Sequence, residues 1–305
     1  MNRLLAYKDV PRVFDAWDID SNYIDQPVEL DEPVTLTVRE EAGLRAVLHI
    51  SRKVMHSSWE QDVVLSGHGR RLDFITQAEW RELHRLLKVD FPINVQAAEG
   101  INEIQFGYIA RPTHRSRLFD KDRFEVCNHR YSALCDQSHG AAVLNDCKYG
   151  ISMNGSALQL SLLRAAACPE MRADNGKHEF RYAFLGWEGP FLESPVVREA
   201  CDLNVPLQTA EGGCESFSAF QVNRANILID TVKPAEDGSG DLILRMYEAK
   251  QADTTCELII HLPLQRVMLC DMLENAADQL LPDKGCITLH FHPFEVKTLR
   301  LIRKA

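Results

Sequence analysis

The stretch “LNDCKYGISMNGSALQLSLLR”, residues 144–164, predicts a β-hairpin. Asn154 and Gly155 form a pair that favours a tight turn between two strands, because both residue types tolerate a positive φ. After the turn, leucines at alternate positions of 158–162 are separated by polar residues, which is the two-residue period of a half-buried strand. The stretch therefore indicates antiparallel β structure at this point of the chain.

Polar residues precede the hairpin where a simple turn would suffice, and they are Asn145, Asp146, Lys148 and Tyr149. Two interpretations of this polar segment are open. It is either a binding edge that presents hydrogen-bonding groups to a ligand, or a structural turn in which Asp146 accepts hydrogen bonds from backbone amides.

The same alternation continues through much of the chain. Runs such as “VTLTVRE” (34–40), “RAVLHISRKV” (45–54) and “LDFITQAEW” (72–80) place apolar residues at alternate positions. Turn residues separate successive runs at spacings of about ten residues, a pattern typical of a β-sandwich. The sequence therefore predicts an all-β protein with a large antiparallel β-sandwich.

Two further elements are predicted from local patterns. The run “INEIQFGYIA” (101–110) predicts one strand with Ile104, Phe106 and Tyr108 on the same face. Helices are predicted to be few and short, chiefly near Glu274–Leu280.

The length of the chain predicts two domains. At 305 residues it is longer than one hydrophobic core usually supports. The run “VKPAEDGSGD” (232–241) combines Pro, acidic residues and Gly, which is typical of a linker or a wide turn. We therefore expect a large β-sandwich over 1–232 and a small C-terminal β domain over 233–305. One continuous sandwich with a long loop is the alternative.

Composition argues against several classes of partner. The net charge of −10 and the pI of about 5.6 disfavour nucleic acid and anionic membranes as the main partners. No run approaches the roughly 18–20 apolar residues of a membrane span, and the start of the chain does not have the apolar core of a signal peptide. The nine cysteines are scattered without C-x-x-C spacing, which predicts neither a zinc site nor a disulfide framework. We expect a reduced, cytoplasmic protein.

The densest acidic cluster is “FDAWDIDSNYID” (14–25), in which carboxylates alternate with aromatic rings. An aromatic face can stack on a sugar ring while neighbouring carboxylates accept hydrogen bonds from its hydroxyls. Asp15, Trp17 and Asp18 are therefore candidate sugar-binding residues. In the alternative interpretation, the aromatic residues anchor the start of the chain in the core and the acids are solvated.

The histidines give no clear metal signature in the sequence. His290 and His292 are separated by one residue on a predicted strand, so both can face the same side. Because no Asp or Cys stands at ligand spacing beside them, we expect a satisfied or solvent-facing pair rather than a metal site. Phosphate-binding and nucleophile-elbow motifs do not occur in the sequence.

Several segments, taken together, resemble one known family. They are “DAWDID”, “LLKVDFPINV”, “EIQFGYIARPTHR”, “FEVCNHRYSAL”, “AVLNDCKYGISMNGSALQLSLLRAA” and “ADNGKHEFRYAF”. In this order, the set resembles the C-terminal β region of glycoside hydrolase family 38 α-mannosidases of the bacterial type, over nearly the whole chain. The resemblance implies a galactose-mutarotase-like super-sandwich followed by a smaller C-terminal β domain.

The resemblance also implies which part of such an enzyme this chain represents. In that family, a zinc ion, an aspartate nucleophile and an acid/base carboxylate lie on an N-terminal α/β barrel, and this sequence shows no alternating βα pattern for a barrel. The chain is therefore expected to be the non-catalytic C-terminal portion of a retaining α-mannosidase, inactive alone and without a catalytic residue, metal ligand or cofactor of its own. The implied partners are an α-mannoside or oligosaccharide substrate and the missing catalytic domain, and we expect a homo-oligomer.

Loops of the β region close over one side of the sugar site in that family. By resemblance, Asn145 and Lys148 would offer hydrogen bonds to the sugar, with Asp146 orienting Lys148. Tyr149 would pack at the rim. The further substrate-binding candidates are Arg164 at the end of the strand, Asp174 and His178 in the following loop, and Asp15, Trp17 and Asp18 in the acidic cluster.

Two alternative functions are kept open. A freestanding carbohydrate-binding module would require an exposed aromatic platform, for which the candidates are Trp17, Trp59, Trp80 and Trp187. A mutarotase-like aldose epimerase would require a His and a Glu that converge in a concave sheet to transfer a proton. The candidates for that role are Glu103, His114 and His178.

Overall fold

The computed structural model describes residues 1–41, 43–213 and 215–303, so that Cys214 lies outside the described residues. The chain divides into two compact units. The first comprises Met1–Glu103 and Ile109–Pro206, and the second comprises Ile104–Tyr108 and the chain from Leu207 onward. Within the described ranges, no helix is long and apolar enough to cross a membrane.

The chain before Leu207 consists mainly of strands. They are β1 (Arg3–Lys8), β2 (Pro27–Val28), β3 (Val34–Glu40), β4 (Arg45–Val54), β5 (Ser57–Ser66), β6 (Arg71–Trp80), β7 (Arg85–Pro92), β8 (Glu99–Ile104), β9 (Gly107–Pro112), β10 (Val126–Cys127), β11 (Tyr131–Cys135), β12 (His139–Asn145), β13 (Gly150–Asn154), β14 (Ala157–Leu163) and β15 (Gly176–Glu188). Short 3-10 helices span Ser21–Asp25, Leu118–Arg123 and Phe191–Glu193, and the α-helix α1 spans Val196–Asn204.

These strands form two sheets. The six-stranded sheet has the order β10-β13-β14-β7-β1-β2, and the nine-stranded sheet has the order β3-β4-β5-β6-β15-β12-β11-β8-β9. The core contains Leu87 and Phe91 of the smaller sheet together with Trp59, Phe74 and Tyr182 of the larger sheet. Because the inward residues of both sheets share one core, the predicted antiparallel β-sandwich is confirmed.

Strands β13 and β14 form the hairpin predicted within residues 144–164. Asn154 is the last residue of β13 and pairs with Ala157, so Gly155 and Ser156 are the central turn residues. Gly155 has a φ of +60°, and glycine at the first central position is typical of a type II′ hairpin turn. The alternating leucines of 158–162 are buried as predicted.

The second unit contains two further antiparallel sheets. Its strands are β16 (Phe220–Val222), β17 (Ile227–Pro234), β18 (Leu242–Glu248), β19 (Thr254–Ile260), β20 (Leu264–Cys270), β21 (Ala276–Leu280), β22 (Cys286–Phe291) and β23 (Val296–Arg303). They form a five-stranded sheet in the order β17-β18-β23-β20-β21 and a three-stranded sheet in the order β16-β19-β22. Leu258 and Phe291 of the smaller sheet pack with Leu244 and Leu299 of the larger sheet in one core.

The helix predicted near Glu274–Leu280 is wrong. Residues Ala276–Leu280 form β21, which pairs with β20. The helix preference of its Ala, Gln and Leu residues is outweighed by cross-strand hydrogen bonding, since propensity is only a weak prior. The α-helix forms instead at Val196–Asn204, where the buried residues recur at helical spacing.

The single strand predicted for 101–110 is also wrong, because β8 and β9 are separate strands. Phe106 lies between them with a φ of +56°, so Ile104, Phe106 and Tyr108 do not share one continuous strand. A Cβ atom at Gly107 would lie 2.6 Å from a ring carbon of Phe294. The close approach of this ring therefore requires glycine immediately after the turn.

The predicted domain boundary between residues 232 and 233 falls inside β17, which pairs with β18. The compact units divide earlier, between Pro206 and Leu207. The linker-like run 232–241 forms the end of β17 and the turn to β18, where the Ala235 amide donates to the Asp241 carbonyl at 2.9 Å.

Candidate functional site

The polar segment begins at Asn145, whose side chain faces the interior and is fully used by the protein. Asn145 is 1 % exposed. Its Nδ2 donates to the Asn128 Oδ1 (3.0 Å) and to the His129 carbonyl (2.7 Å), while its Oδ1 accepts from the Lys148 amide (2.8 Å). Because these bonds occupy its polar atoms, Asn145 shapes the turn instead of facing a ligand.

Asp146 is bound to the neighbouring strand β15. Its two carboxylate oxygens lie 3.1 and 3.0 Å from the Arg181 amide nitrogen, which donates to them. The Asp146 amide in turn donates to the Arg181 carbonyl at 3.1 Å. Burial and the hydrogen bond to Asp146 raise the pKa of the adjacent Cys147 thiol to about 11, so this thiol is a weak nucleophile at neutral pH.

Lys148 lies against an aromatic ring. Its Nζ is 4.4 Å from the ring centroid of Phe180, a buried residue of β15. Burial lowers the pKa of Lys148, while the negative charge of Asp146 and Asp174 opposes this fall. Among the residues that the structure describes, none accepts a hydrogen bond from the Lys148 Nζ, so its N–H groups are available to a ligand.

Asp174 and His178 lie at the start of β15. The Nε2 of His178 donates to the Asp174 backbone carbonyl at 2.6 Å, which closes the loop before the strand. Burial lowers the pKa of Lys148, and the charge of Asp174 is one of the groups that oppose this fall. Asp174 therefore acts on Lys148 through its charge, while His178 fixes the loop that carries Asp174. Tyr149 is 56 % exposed at the edge of this group.

Arg164 holds the loop of residues 9–20, called here the N-terminal loop. Its Nε donates to the Asp9 carboxylate at 2.7 Å, and its guanidinium also donates to the Asp15 and Asp18 carbonyls at 3.1 and 2.7 Å. Asp9 is 3 % exposed. Burial raises the pKa of Asp9, and the Arg164 charge opposes the rise. Arg164 thus positions backbone rather than a ligand.

The side chain of Asp15 fastens the same loop from another side. Its Oδ2 accepts from the Ala167 and Cys168 amides at 2.7 and 3.0 Å and lies 3.0 Å from the His84 Nε2. Burial alone would raise the pKa of Asp15, but the hydrogen bonds from Ala167 and His84 lower it. Asp15 is therefore an ionised anchor of the N-terminal loop.

Among the aromatic residues, Trp17 and Phe14 lie on the surface of the N-terminal loop. They are 72 % and 56 % exposed, and their ring centroids are 6.4 Å apart. The aromatic platform that a carbohydrate-binding module would need is not formed by the four tryptophans, because Trp59, Trp80 and Trp187 are buried. Trp59, for example, packs edge-on against Phe180 in the core.

The candidates for an aldose epimerase do not converge. Glu103 is buried and pairs with Arg130 at 2.6 Å. His114 lies beside the Ser116 hydroxyl at 2.9 Å, whereas His178 contacts the carbonyl of its own loop. Because each side chain is held by different neighbours, these three residues do not form the acid–base pair that proton transfer requires.

A charged groove that the sequence analysis did not predict lies on the face of the nine-stranded sheet opposite the core. The Nδ1 of His49 is 2.7 Å from the Asp62 carboxylate, and its Nε2 is 2.9 Å from that of Glu60. Arg39 donates to Asp62 as well. The groove has a volume of about 290 Å³. The polar residues at alternate positions of 45–54 and 57–66 are the feature of the sequence that could have indicated this groove.

A second unpredicted cluster surrounds Lys88 on β7. Its side chain is fully buried, and its ammonium pairs with Glu125 and donates to the Ser152 hydroxyl at 2.8 Å. Burial lowers the pKa of Lys88 well below its usual value. A lysine within the otherwise apolar run “LLKV” was the sequence signal for this cluster.

The predicted residues thus fall into two groups. Asp174, which His178 holds, acts on Lys148 of the polar segment through its charge, while Arg164 fixes the N-terminal loop. Of the predicted carboxylates, Asp15 and Asp146 accept hydrogen bonds from backbone amides, so these two have structural roles. The Lys148 ammonium is the donor that remains available for a contact with a substrate or a protein.

Models of known protein families match both parts of the chain. The model described as “Glycosyl hydrolases family 38 C-terminal domain” matches residues 1–172. The model described as “Glycosyl hydrolases family 38 C-terminal beta sandwich domain” matches residues 226–299.

Similar full-length proteins are considerably longer than this chain. “Alpha-mannosidase 2C1” from Homo sapiens is 40 % identical, and the aligned region covers 99 % of this chain and 30 % of that protein. “Alpha-mannosidase G” from Dictyostelium discoideum is 34 % identical, with 99 % of this chain and 29 % of that protein covered. The chain thus spans about a third or less of the length of these relatives.

A solved structure with the same fold is that of an alpha-mannosidase from Enterococcus faecalis V583. Its TM-score is 0.79 at 14 % sequence identity, and the superposition covers 97 % of this chain and 38 % of that chain. At this level of identity the likeness concerns the fold of the β-sheets.

Proposed function

The chain belongs to glycosyl hydrolase family 38 and corresponds to its C-terminal region, and from this membership we propose that it is the non-catalytic portion of a retaining α-mannosidase. In this proposal it supports the catalytic domain and helps to close the site for an α-mannoside or oligosaccharide. The zinc ion that the family resemblance implies would be held by the catalytic domain.

The structure of the N-terminal loop is the main support for the proposed contact with the catalytic domain. Arg164 and the Asp15 side chain fix a loop that has little regular structure, at the cost of burying the Asp9 charge. The fixed loop leaves Phe14 and Trp17 exposed. Large apolar side chains that are held rigidly on the surface are typical of an interface, and the proposed occupant is the catalytic domain.

Lys148 supports the capping role. Its ammonium lies on the Phe180 ring with N–H groups free, so it can donate to a sugar hydroxyl without giving up another hydrogen bond. Tyr149 lies beside it at the surface. Asn145 and Asp146 contribute indirectly, because they fix the backbone that carries Lys148.

The proposal also includes the oligomeric state and the cellular compartment of the chain. The apolar surface of Phe14 and Trp17 favours self-association when no catalytic domain covers it, which is the homo-oligomer that we expect. The cysteines among the described residues are free thiols, and free thiols favour a reducing compartment such as the cytoplasm.

Association with the catalytic portion tests the supporting role. We would produce the catalytic portion of the same enzyme separately, mix it with this chain and measure the complex by sedimentation velocity. Trp17→Ser combined with Phe14→Ser is expected to weaken the complex by at least about tenfold, since removing a hot-spot residue costs about 2 kcal/mol. Leu118→Ser, at another exposed apolar residue, is the matched control. If the Phe14/Trp17 double variant binds the catalytic portion as tightly as Leu118→Ser does, the N-terminal loop is not the docking surface.

A further inference from the structure

A carboxylate and two imidazoles meet at one end of the three-stranded sheet of the second unit. The Asp253 Oδ1 lies 3.3 Å from the His290 Nε2, and the Asp253 Oδ2 lies 3.1 Å from the His292 Nδ1. One ligand atom from each of the three residues lies within 4.8 Å of the other two. The imidazole rings are edge to face, with centroids 5.0 Å apart.

The strand register explains why the sequence did not reveal this cluster. Thr254 of β19 pairs with Phe291 of β22, so Asp253 and His292 are the next positions beyond that pair. His290 and His292 point to the same side because they are two residues apart. The carboxylate beside the two histidines is therefore supplied by the residue that precedes the neighbouring strand β19.

The separations suit a tetrahedral metal ion. Bonds of about 2.0–2.1 Å to nitrogen and oxygen place neighbouring ligand atoms about 3.3 Å apart. The two nitrogen–oxygen distances, 3.3 and 3.1 Å, run to the two different oxygens of Asp253. One ligand atom from each residue lies within 4.8 Å of the others, so rotation of the exposed side chains brings all three to the separations that one ion requires. The His290, His292 and Asp253 side chains are 49 %, 71 % and 60 % exposed, so an ion has access from solvent.

Neighbouring groups favour the required orientation of the ligands. The Thr255 hydroxyl lies 3.2 Å from the His290 Nδ1. When that nitrogen carries the proton and donates to the hydroxyl, the lone pair of Nε2 faces Asp253, and such partners orient ligating histidines. The His292 amide donates to the Glu295 carboxylate at 2.9 Å, which fixes the backbone at the second imidazole.

We propose that Asp253, His290 and His292 bind a divalent transition-metal ion such as Zn²⁺, with water in the remaining position. Two imidazoles and a carboxylate are a donor set that zinc accepts. The ion would join β19 to the edge strand β22 and stabilise the second unit. This proposal is independent of the proposed function, because it concerns residues that the α-mannosidase hypothesis does not use.

Calorimetric titration with ZnCl₂ alone tests the site, after the exposed thiols have been alkylated. The chain is expected to bind one more Zn²⁺ than the double variant with His290→Ala and His292→Ala. Asp253→Asn is expected to weaken that binding by at least about tenfold, since even residues outside the first ligand shell contribute 10–100-fold. Zn²⁺ should also raise the melting temperature of the chain but not that of the double variant.

The double variant with His68→Ala and His114→Ala, which removes two other histidines, is the control and should bind Zn²⁺ as the unchanged chain does. Equal Zn²⁺ binding by the chain and by the His290/His292 variant would overturn the proposal. If that variant does not fold, NMR of the unchanged chain decides. The imidazole resonances of His290 and His292 should shift with Zn²⁺, and resonances that stay in place at saturation would show an ion pair only.

Discussion

The Lys148 ammonium lies 4.4 Å from the centre of the Phe180 ring. Phe180 itself is buried and packs edge-on against Trp59, with ring centroids 5.9 Å apart. The lysine is therefore held on a rigid part of the sandwich core, although it belongs to a loop. A cation on an aromatic face gains about 0.5–2 kcal/mol, which reduces the mobility of the ammonium while leaving its N–H groups free.

Replacement of Lys148 tests whether this ammonium contacts the substrate. In the full-length enzyme, Lys148→Ala is expected to lower kcat/KM about 10- to 150-fold, because a hydrogen bond from a charged group contributes about 1.5–3 kcal/mol. Lys148→Arg should retain part of the activity, and Lys53→Ala, at an exposed lysine of β4, is the control. Steady-state kinetics with an aryl α-mannoside give the result. Unchanged kinetics in Lys148→Ala would assign the polar segment to structure alone.

Asp146 is expected to affect stability more than activity. Asp146→Ala leaves the Arg181 amide without its acceptor, at a cost of about 1–2 kcal/mol, or roughly 2–8 °C in melting temperature. Asp146→Asn should lower the melting temperature less, because its amide oxygen still accepts. Differential scanning calorimetry compares both variants with Asp18→Ala, which changes an exposed carboxylate of the N-terminal loop. An unchanged melting temperature in Asp146→Ala would show that the hydrogen bonds from the Arg181 amide to Asp146 do not stabilise the fold.

Local sequence patterns were sufficient for the strands with regular alternation but not for segments whose conformation depends on pairing with another strand. The alternating leucines of 158–162 predicted a half-buried strand correctly, since a two-residue period depends only on which face is buried. The helix predicted near Glu274–Leu280 was wrong because pairing with β20, which the local sequence does not show, decides the conformation.

The candidate site could be predicted only in part for the same reason. Lys148 was identified from the polar segment, but its partner Phe180 lies on a distant strand. Trp59 and Trp80 were possible platform residues in the sequence, yet their strands direct them inward. Asp253 lies beside His290 and His292 because of the register between β19 and β22, which the spacing of residues along the sequence does not show.

Replacement of Arg164 should lower the free energy of unfolding by an amount that depends on pH. Arg164→Ala leaves the Asp9 carboxylate buried without its cation, which costs about 3 kcal/mol. Burial raises the pKa of Asp9, so the folded state binds the Asp9 proton more tightly than the unfolded chain does. The contribution of Asp9 to the free energy of unfolding therefore falls as the pH rises from about 3.9, its unfolded pKa, through its higher folded pKa. Without Arg164 this pKa rises further.

The deficit of Arg164→Ala should therefore be largest at pH 7 and should shrink as the pH is lowered through the raised pKa of Asp9. Urea denaturation at several pH values measures it, with Arg172→Ala as the control at an exposed arginine. Asp9→Asn added to Arg164→Ala should recover part of the loss. A deficit that is constant with pH would show that the Asp9 charge is not its cause.

The Cys147 thiol should react slowly in spite of its exposure. With its pKa raised to about 11 by burial and by Asp146, its thiolate fraction at pH 8 is on the order of 100-fold below that of an ordinary cysteine with a pKa of about 8.5. Alkylation by iodoacetamide, followed by peptide mass spectrometry, gives the rate, with the exposed Cys127 and Cys168 as internal references. Asp146→Asn should accelerate the reaction. Equal rates at all three thiols would contradict the assigned environment of Cys147.

Hydrolysis of an aryl α-mannoside tests the central claim most directly. The purified chain is compared, with and without Zn²⁺, with the same chain co-expressed with the catalytic portion of the enzyme. We expect no turnover by the chain alone, because the family resemblance assigns the nucleophile, the acid/base carboxylate and the zinc ion to the catalytic domain. Co-expression should give activity above that of the catalytic portion alone. Zinc-dependent turnover by the chain alone, persisting through repeated purification and in the Lys148→Ala and Asp146→Ala variants, would contradict the claim.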